Sequence, residues 1–221
     1  MNSINKTARI AGFLYLIVAV FSGFAASVRS SLIVSTDAAA TVNNILASET
    51  LFRISFVSDL IGQVFHILLV LVLYELLKTV NKNQALLMVI LALVPVPIAM
   101  LNQLNQFAVL PLLKGTDYSQ VMFFLNLHAD GVFIAQIFWG LWLFPLGYLV
   151  FRSGYIPRIL GVLLVVTSLC YLTQSFGNIL LPKYKEIFAA IGFLAIIEIA
   201  FPLWLLIKGA KEQQPATSEV V

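Results

Sequence analysis

Six long apolar runs dominate this chain and restrict what it can fold into. Each run is long enough to cross a hydrocarbon core of about 30 Å, which requires roughly 20 helical residues. The runs are continuous and do not alternate every second residue, which favours helices over the strands of a membrane barrel. We place the spans at residues 9–29, 52–78, 84–112, 127–151, 157–180 and 186–208. The predicted fold class is therefore all-α, an integral membrane bundle of six transmembrane helices.

The composition agrees with a lipid environment. Hydrophobic residues form 61% of the sequence and charged residues only 10%, against about 25% charged residues in an average soluble domain. The net charge of +3 arises from Lys and Arg residues in the short connections between apolar runs. This pattern is typical of membrane orientation and not of a nucleic-acid-binding surface. We expect the lipid bilayer as a partner and no nucleic acid, and we leave open whether the protein forms a homo-oligomer.

The first apolar run has some features of a secretory signal. Lys6 and Arg9 precede the run Ile10–Val28, and the small residues Ala25 to Ser27 offer a cleavage site. However, a run of about 19 residues is at the long end for a signal and is sufficient for a span. We interpret this segment as a retained first helix, because five more spans follow it.

Basic residues near the ends of the spans favour a cytoplasmic N-terminus. In that orientation eight basic residues lie on the cytoplasmic side and five on the other. The cytoplasmic set is Lys6, Arg9, Lys78, Lys82, Arg152, Arg158, Lys208 and Lys211, and the other set is Arg29, Arg53, Lys114, Lys183 and Lys185. An even number of spans also places the C-terminus in the cytoplasm. We expect one transmembrane domain over residues 1–212, followed by a disordered polar tail over 213–221.

Two local patterns predict structure within this framework. Asp37 is a good N-cap for a short helix over Ala38–Ala47 in the longest external connection. Asn43 and Asn44 make that helix too polar to enter lipid, so we expect it on the membrane surface. Pro95 and Pro97 lie near the middle of the third span and predict a kink or short break there. Either a packing kink or a hinge would explain this break.

Polar side chains at membrane depth are costly, and they are the strongest functional indication in the sequence. The candidate ligand-binding residues are Asp59, Gln63, His66, Asn102, Asn105, Gln106, His128, Asp130, Gln174, Asn178 and Glu198. In the predicted orientation nearly all of them fall in the outer half of the bilayer or near its middle. We predict a hydrated polar cavity that opens outward and is closed by an apolar plug on the cytoplasmic side. The alternative is purely structural hydrogen bonding between helices, with Asp59, Asp130 and Glu198 either paired to Arg29 and Arg53 or protonated.

No catalytic motif is present in the sequence. It contains neither a Gly-x-Ser-x-Gly elbow nor a phosphate-binding glycine-rich loop, and Cys170 has no charged neighbour to activate it. Several side chains are of types that bind zinc, but no pair has the helical spacing of a metal motif. These are His66, His128, Asp59, Asp130 and Glu198. We therefore assign no metal and no cofactor, and we favour a protein that is not an enzyme.

Several short motifs resemble those of a known family. They are Asp37-Ala-Ala-Ala-Thr, Asn44-Ile-Leu-Ala-Ser-Glu49, Leu51-Phe-Arg-Ile with Asp59-Leu, Phe138-Trp-Gly-Leu, Gly147-Tyr-Leu, Arg152-Ser-Gly-Tyr-Ile-Pro-Arg-Ile-Leu-Gly161 and Trp204-Leu-Leu-Ile-Lys-Gly209. Over nearly its whole length the chain resembles the bacterial multi-pass membrane proteins catalogued as domain of unknown function 4386. The resemblance implies a location in the bacterial cytoplasmic membrane, and it implies no assigned activity or catalytic residues.

Three functional hypotheses follow from these patterns. The favoured one is binding or transport of a small polar molecule, an ion or a lipid headgroup through the outward-facing polar cavity. The second is an intramembrane metal-dependent hydrolase with a metal held by His66 and His128. The third is a sensor or accessory subunit that has no site of its own.

Overall fold

Helices long enough to cross a membrane form most of the structure. In the computed structural model, which describes residues 3–211, six apolar helical segments meet the length and composition of a span. They are Ile4–Leu32, Glu49–Leu77, Lys82–Leu112, Tyr118–Ser153, Arg158–Leu180 and Pro182–Ile207. The predicted fold class, an all-α membrane bundle with six spans and a short additional helix, is confirmed. The predicted tail over 213–221 lies outside the described residues.

Residues 3–211 form nine α-helices and two short 3₁₀ segments. In chain order the α-helices are α1 Ser3–Leu32, α2 Ala38–Ala47, α3 Glu49–Leu77, α4 Lys82–Leu93, α5 Pro95–Leu112, α6 Tyr118–Ser153, α7 Arg158–Leu180, α8 Lys185–Phe193 and α9 Ala200–Ile207. The 3₁₀ segments are Pro182–Tyr184 and Leu194–Ile199. Helices α4 and α5 together form the third span, and the two 3₁₀ segments with α8 and α9 form the sixth.

The short helix α2 begins where the sequence predicted. The carboxylate of Asp37 accepts a hydrogen bond from the backbone N–H of Ala40 at 2.9 Å, so Asp37 is the N-cap. Val42 and Ile45 are fully buried and pack with Phe52 at the start of α3. One side of α2 is therefore fixed to the bundle, and this contact decides where the helix lies.

The predicted break in the third span is also confirmed. Helix α4 ends at Leu93 and α5 begins at Pro95, with Val94 between them. Proline has no backbone N–H and is accommodated in the first turn of a helix, where that donor would have no partner in the helix. Pro95 therefore starts a new helix instead of interrupting one.

The sixth span differs from the single helix predicted over residues 186–208. A 3₁₀ segment, Leu194–Ile199, separates α8 from α9 in the middle of the span. Pro202 explains the change. Its nitrogen carries no hydrogen and so cannot donate a hydrogen bond to the carbonyl of Glu198, one turn earlier. In a regular α-helix its ring would also collide with that carbonyl. Glu198 therefore lies on the 3₁₀ segment between α8 and α9.

Helix α6 is longer at its start than the predicted span over residues 127–151. It begins at Tyr118, where the Asp117 carboxylate accepts a hydrogen bond from the backbone N–H of Ser119 at 3.0 Å. The hydroxyl and backbone N–H of Ser119 hold the pKa of Asp117 below its ordinary value. Val121 and Leu125 are buried in this extra length, so packing and not lipid contact extends the helix.

The two ends of the bundle can be distinguished by the elements that they carry. At one end the backbone N–H of Lys211 donates to the carbonyl of Tyr155 at 3.0 Å, and Arg9 donates to the carbonyl of Ile207 at 3.4 Å. We call this end, where α1 begins and α9 ends, the termini face. The opposite end carries α2, and we call it the α2 face.

Two apolar clusters fill the bundle, one toward each face. The larger cluster lies toward the termini face and includes Leu73, Leu77, Leu146 and Phe201. The smaller lies toward the α2 face and includes Ile45, Phe52, Val109 and Val121. Apart from Ser153 at the end of α6, the buried polar side chains of α3, α5 and α6 lie away from the termini face, so a polar layer separates the two clusters.

Candidate ligand-binding site

An ion pair between α1 and α3 lies within the polar layer. The guanidinium of Arg29 contacts Oδ2 of Asp59, and their side chains are 19% and 11% exposed. Nε2 of Gln103 approaches the same carboxylate oxygen at 3.4 Å. Asp59 is therefore paired with Arg29. The sequence allowed this pairing in the alternative in which the buried polar residues only hold the helices together. The other arginine considered there, Arg53, forms an exposed ion pair with Glu49 at 2.7 Å.

Amide side chains continue this network from α5 to α6. Gln106 donates to Oε1 of Gln103 at 2.8 Å, and its Nε2 also lies 3.0 Å from Nε2 of His128. Asn102 donates to the carbonyl of His128 at 2.8 Å, and Asn105 donates to Oδ1 of Asn102 at 2.8 Å. These bonds bring four of the candidate residues into one connected group.

A cavity of about 560 Å³ lies between α1, α3, α6, α7 and the sixth span. Glu198 lines it, and the Tyr15 hydroxyl donates to this carboxylate. Tyr171 is a second side-chain hydrogen-bond partner of Glu198. His66 lines the same cavity, donates from Nε2 to the carbonyl of Ala92 at 3.2 Å and stands edge-on to Trp142 with ring centres 5.3 Å apart.

A second cavity of about 200 Å³ continues from the first toward the α2 face. Arg29 and Asp59 line it. Ser22, Gln63 and Trp139 line both cavities, so the two spaces share a wall on three helices. We call the two cavities together the α1–α6 groove.

The groove is bounded at the side of the bundle by α1 and the sixth span, which diverge along their length. A Cβ atom added at Gly12 would lie 2.5 Å from the backbone nitrogen of Leu206, so α1 and α9 are in direct backbone contact there. A Cβ atom added at Gly23 would meet nothing within 4 Å. Gly23 is exposed, and across the gap Ile196 is 62% exposed, although both line the larger cavity.

The gap between α1 and the sixth span gives the groove a lateral opening. The sequence predicted a cavity that opens toward one membrane face. In the structure the smaller apolar cluster lies between the polar layer and the α2 face, while the exposed lining residues lie at the side. The apolar plug that the sequence predicted at the closed end of the cavity corresponds to the larger cluster, toward the termini face.

Six candidate residues line neither cavity, and three of these, Asn105, Gln106 and His128, belong to the amide network between α5 and α6. Gln174 accepts a hydrogen bond from Gln136 at 2.7 Å, and Asn178 donates to the carbonyl of Gln174 at 2.8 Å, so these groups connect α6 and α7. Asp130 is on the exposed side of α6. Gln174, Asn178 and Asp130 line neither cavity.

The potential metal ligands are not brought together. Among residues 3–211, no three His, Cys, Asp or Glu side chains lie close enough to hold a metal ion. His66 is bonded to the carbonyl of Ala92, whereas His128 lies against Gln106. Cys170 is a buried free thiol. The side chains of the groove offer hydrogen bonds and charge.

Comparison with known sequences assigns the chain to a family. The family described as Domain of unknown function (DUF4386) matches residues 10–209, which include both cavities. The chain belongs to the DUF4386 family. It is also similar to an uncharacterized protein of Archaeoglobus fulgidus, with 32% identity over 140 residues that cover 63% of this chain and 74% of that protein. No solved structure matches the chain.

Membership of DUF4386 and the six apolar helices establish a multi-pass membrane protein of a family without an assigned activity. The bacterial cytoplasmic membrane and the cytoplasmic position of both termini stay predictions from the sequence.

The aromatic residues of this candidate site were not among the sequence candidates. Trp139, Trp142 and Tyr171 line the larger cavity, although tryptophan and tyrosine in membrane proteins are commonly interface anchors. Tyr15 also lines it and bonds to Glu198. Glu198 could have indicated these aromatic residues from the sequence, because a carboxyl group near the middle of a span requires hydrogen-bond donors at the same depth.

Proposed function

We propose that this protein binds an amphipathic, lipid-like molecule that enters the α1–α6 groove sideways from the bilayer. The observation that carries this proposal is the gap between α1 and the sixth span, which leads to buried polar side chains. The headgroup of such a molecule would contact these polar groups, while its chain would occupy the apolar gap. This is the lipid-headgroup form of the binding function predicted from the sequence.

The size and lining of the groove support a ligand of this kind. A volume of about 560 Å³ for the larger cavity falls within the range of about 300–1,000 Å³ that is typical of small-molecule sites. Its wall is mainly aliphatic and aromatic, with Glu198 and Gln63 as convergent polar groups. Apolar walls with few polar groups bind and orient amphipathic ligands.

The apolar clusters on both sides of the polar layer support lateral entry over passage along the bundle axis. Leu73, Leu77 and Leu146 fill the bundle toward the termini face, and Ile45 and Phe52 fill it toward the α2 face. A polar molecule moving along the axis would have to pass through close-packed side chains, which resist deformation. Binding from the bilayer requires no such passage.

Filling the groove at Gly23 is expected to displace the bound molecule without unfolding the protein. In the Gly23→Phe variant the new side chain has open space, because nothing lies within 4 Å of the Cβ position. Glycine in a helix interior is less stable than alanine by roughly 0.5–1 kcal/mol, and phenylalanine recovers part of this difference. We expect at least a roughly tenfold weaker retention of lipid, measured by native mass spectrometry after detergent exchange, with an unchanged or higher Tm.

Val20→Phe is the matched control for this experiment. Val20 is also on α1, is 67% exposed and lines neither cavity, so the variant carries the same phenylalanine side chain outside the groove. The Val20→Phe protein should retain lipid as the parent protein does. Equal retention by the Gly23→Phe and Val20→Phe proteins would contradict the proposal.

A further inference from the structure

Glu198 keeps unused acceptor capacity inside the larger cavity. Its carboxylate is bonded to the hydroxyl groups of Tyr15 and Tyr171. An ionised carboxylate has about four lone-pair sites, so two phenol donors leave sites for a further donor. Oε1 of Gln63 is buried and accepts no hydrogen bond from the described residues. Both groups therefore favour a ligand that brings hydrogen-bond donors.

The larger cavity also holds an acid without a basic partner in the described part of its wall. Among the described residues that line the larger cavity, Glu198 is acidic and none is Lys or Arg. Arg29, in the adjoining cavity, is already paired with Asp59. An acid at membrane depth is costly unless a counter-charge accompanies it. A cationic group on the ligand would supply that counter-charge.

Aromatic rings surround the same space. Tyr15, Trp139, Trp142 and Tyr171 all line the cavity, and the rings of Tyr15 and Trp142 lie with centres 6.0 Å apart. The faces of such rings attract cations, and rings grouped around one site are a recurrent way of binding ammonium groups. Rings together with a carboxylate thus select positive charge over a neutral headgroup.

We propose that the headgroup bound in the larger cavity is an ammonium group, held by Glu198 and the aromatic rings, with its alkyl chain in the gap between α1 and the sixth span. This inference rests on the proposed binding of an amphipathic molecule and specifies its charge. An ammonium group would donate to the free sites of Glu198 and to Oε1 of Gln63, and it would balance the acid.

Three probes separate the charge, the chain and the source of the ligand. Protonated tetradecylamine carries both the charge and the chain, tetradecanol keeps the chain and a donor but has no charge, and methylammonium has the charge alone. Affinities would be measured by isothermal titration with the full protein in maltoside micelles. We expect tetradecylamine to bind roughly tenfold or more tightly than tetradecanol, and methylammonium to bind far more weakly than either.

The Glu198→Gln variant tests the role of the acid, because it removes the charge and keeps the shape of the side chain. It should lose the preference for tetradecylamine over tetradecanol while still binding both. Asp130→Asn is the matched control, since it changes the net charge equally at an exposed position outside both cavities. Size-exclusion profiles and Tm values would verify that the variants are folded.

Each other outcome overturns a distinct part of the inference. Equal binding of tetradecylamine and tetradecanol by the parent protein would overturn the ammonium assignment and leave the binding of amphipathic molecules intact. A preference that persists in Glu198→Gln would remove Glu198 from the site. Methylammonium binding as tightly as tetradecylamine would indicate a soluble ammonium ligand. Failure of both long-chain probes to bind would overturn the proposed function itself.

Discussion

A Gly161→Leu protein is expected to lose most of the stability that the α6–α7 pairing provides. A Cβ atom at Gly161 would lie 2.6 Å from the carbonyl oxygen of Gly147, and one at Gly147 would lie 2.7 Å from that of Gly161. The two helices therefore touch through their backbones, as membrane helices do at small residues. Because a backbone cannot rotate away as a side chain can, we expect a loss of about 3 kcal/mol, the upper part of the usual range for overpacking.

Thermal unfolding in detergent would measure this loss, with Gly23→Leu as the control. Gly23 is also a helical glycine, but a side chain there has open space. The same substitution should therefore leave stability unchanged or raise it. If both leucine variants unfold at the temperature of the parent protein, the close contact between α6 and α7 is not present in solution.

Breaking the Arg29–Asp59 pair should have the second large effect. In Asp59→Asn the guanidinium of Arg29, which is 19% exposed, loses its counter-charge within the bundle. Removing one partner of a buried pair typically costs about 3–5 kcal/mol, and the remaining exposure of Arg29 favours the lower end of this range. The measurement is the free energy of unfolding in detergent or mixed micelles.

The double variant Arg29→Gln with Asp59→Asn completes the comparison. It replaces two charges with two amides that can hydrogen-bond to each other and to Gln103, which lies 3.4 Å from Asp59. We expect its stability to be within about 1 kcal/mol of the parent protein, because neighbouring substitutions are not additive. If the double variant lost as much unfolding free energy as the two single variants lose together, the side chains of Arg29 and Asp59 would not interact.

Much of the fold could be predicted because lipid imposes simple requirements. A span needs roughly 20 apolar residues, so hydropathy locates all six. Asp37 and the Pro95 break also act through local backbone chemistry and appear in the structure as predicted. Pro202 could have been interpreted in the same way, since its effect on the carbonyl of Glu198 follows from the same rule.

The candidate site was harder to predict because depth in the membrane does not determine which way a side chain faces. His128 and Asp130 are at nearly the same depth but, at about 100° per residue, point about 160° apart around the helix axis. One is buried in the polar network and the other is exposed. Helical geometry could therefore have separated these two residues before the structure was known.

The lateral opening, in contrast, depends on contacts between distant parts of the chain. It exists because α1 touches α9 at Gly12 and departs from the sixth span before Gly23. The partnership of Tyr15 and Glu198, which are 183 residues apart, depends on the same arrangement. No local pattern in either segment specifies which helix will be its neighbour.

Access of lipid to the groove can be measured directly at Trp139, which lines both cavities. The chain has three tryptophans, so replacing Trp142 and Trp204 with phenylalanine leaves Trp139 as the single fluorophore. In bilayers made with brominated acyl chains, we predict strong quenching of Trp139 fluorescence and a marked loss of that quenching when Gly23→Phe is added. Quenching that is absent, or that Gly23→Phe leaves unchanged, would contradict lateral entry between α1 and the sixth span.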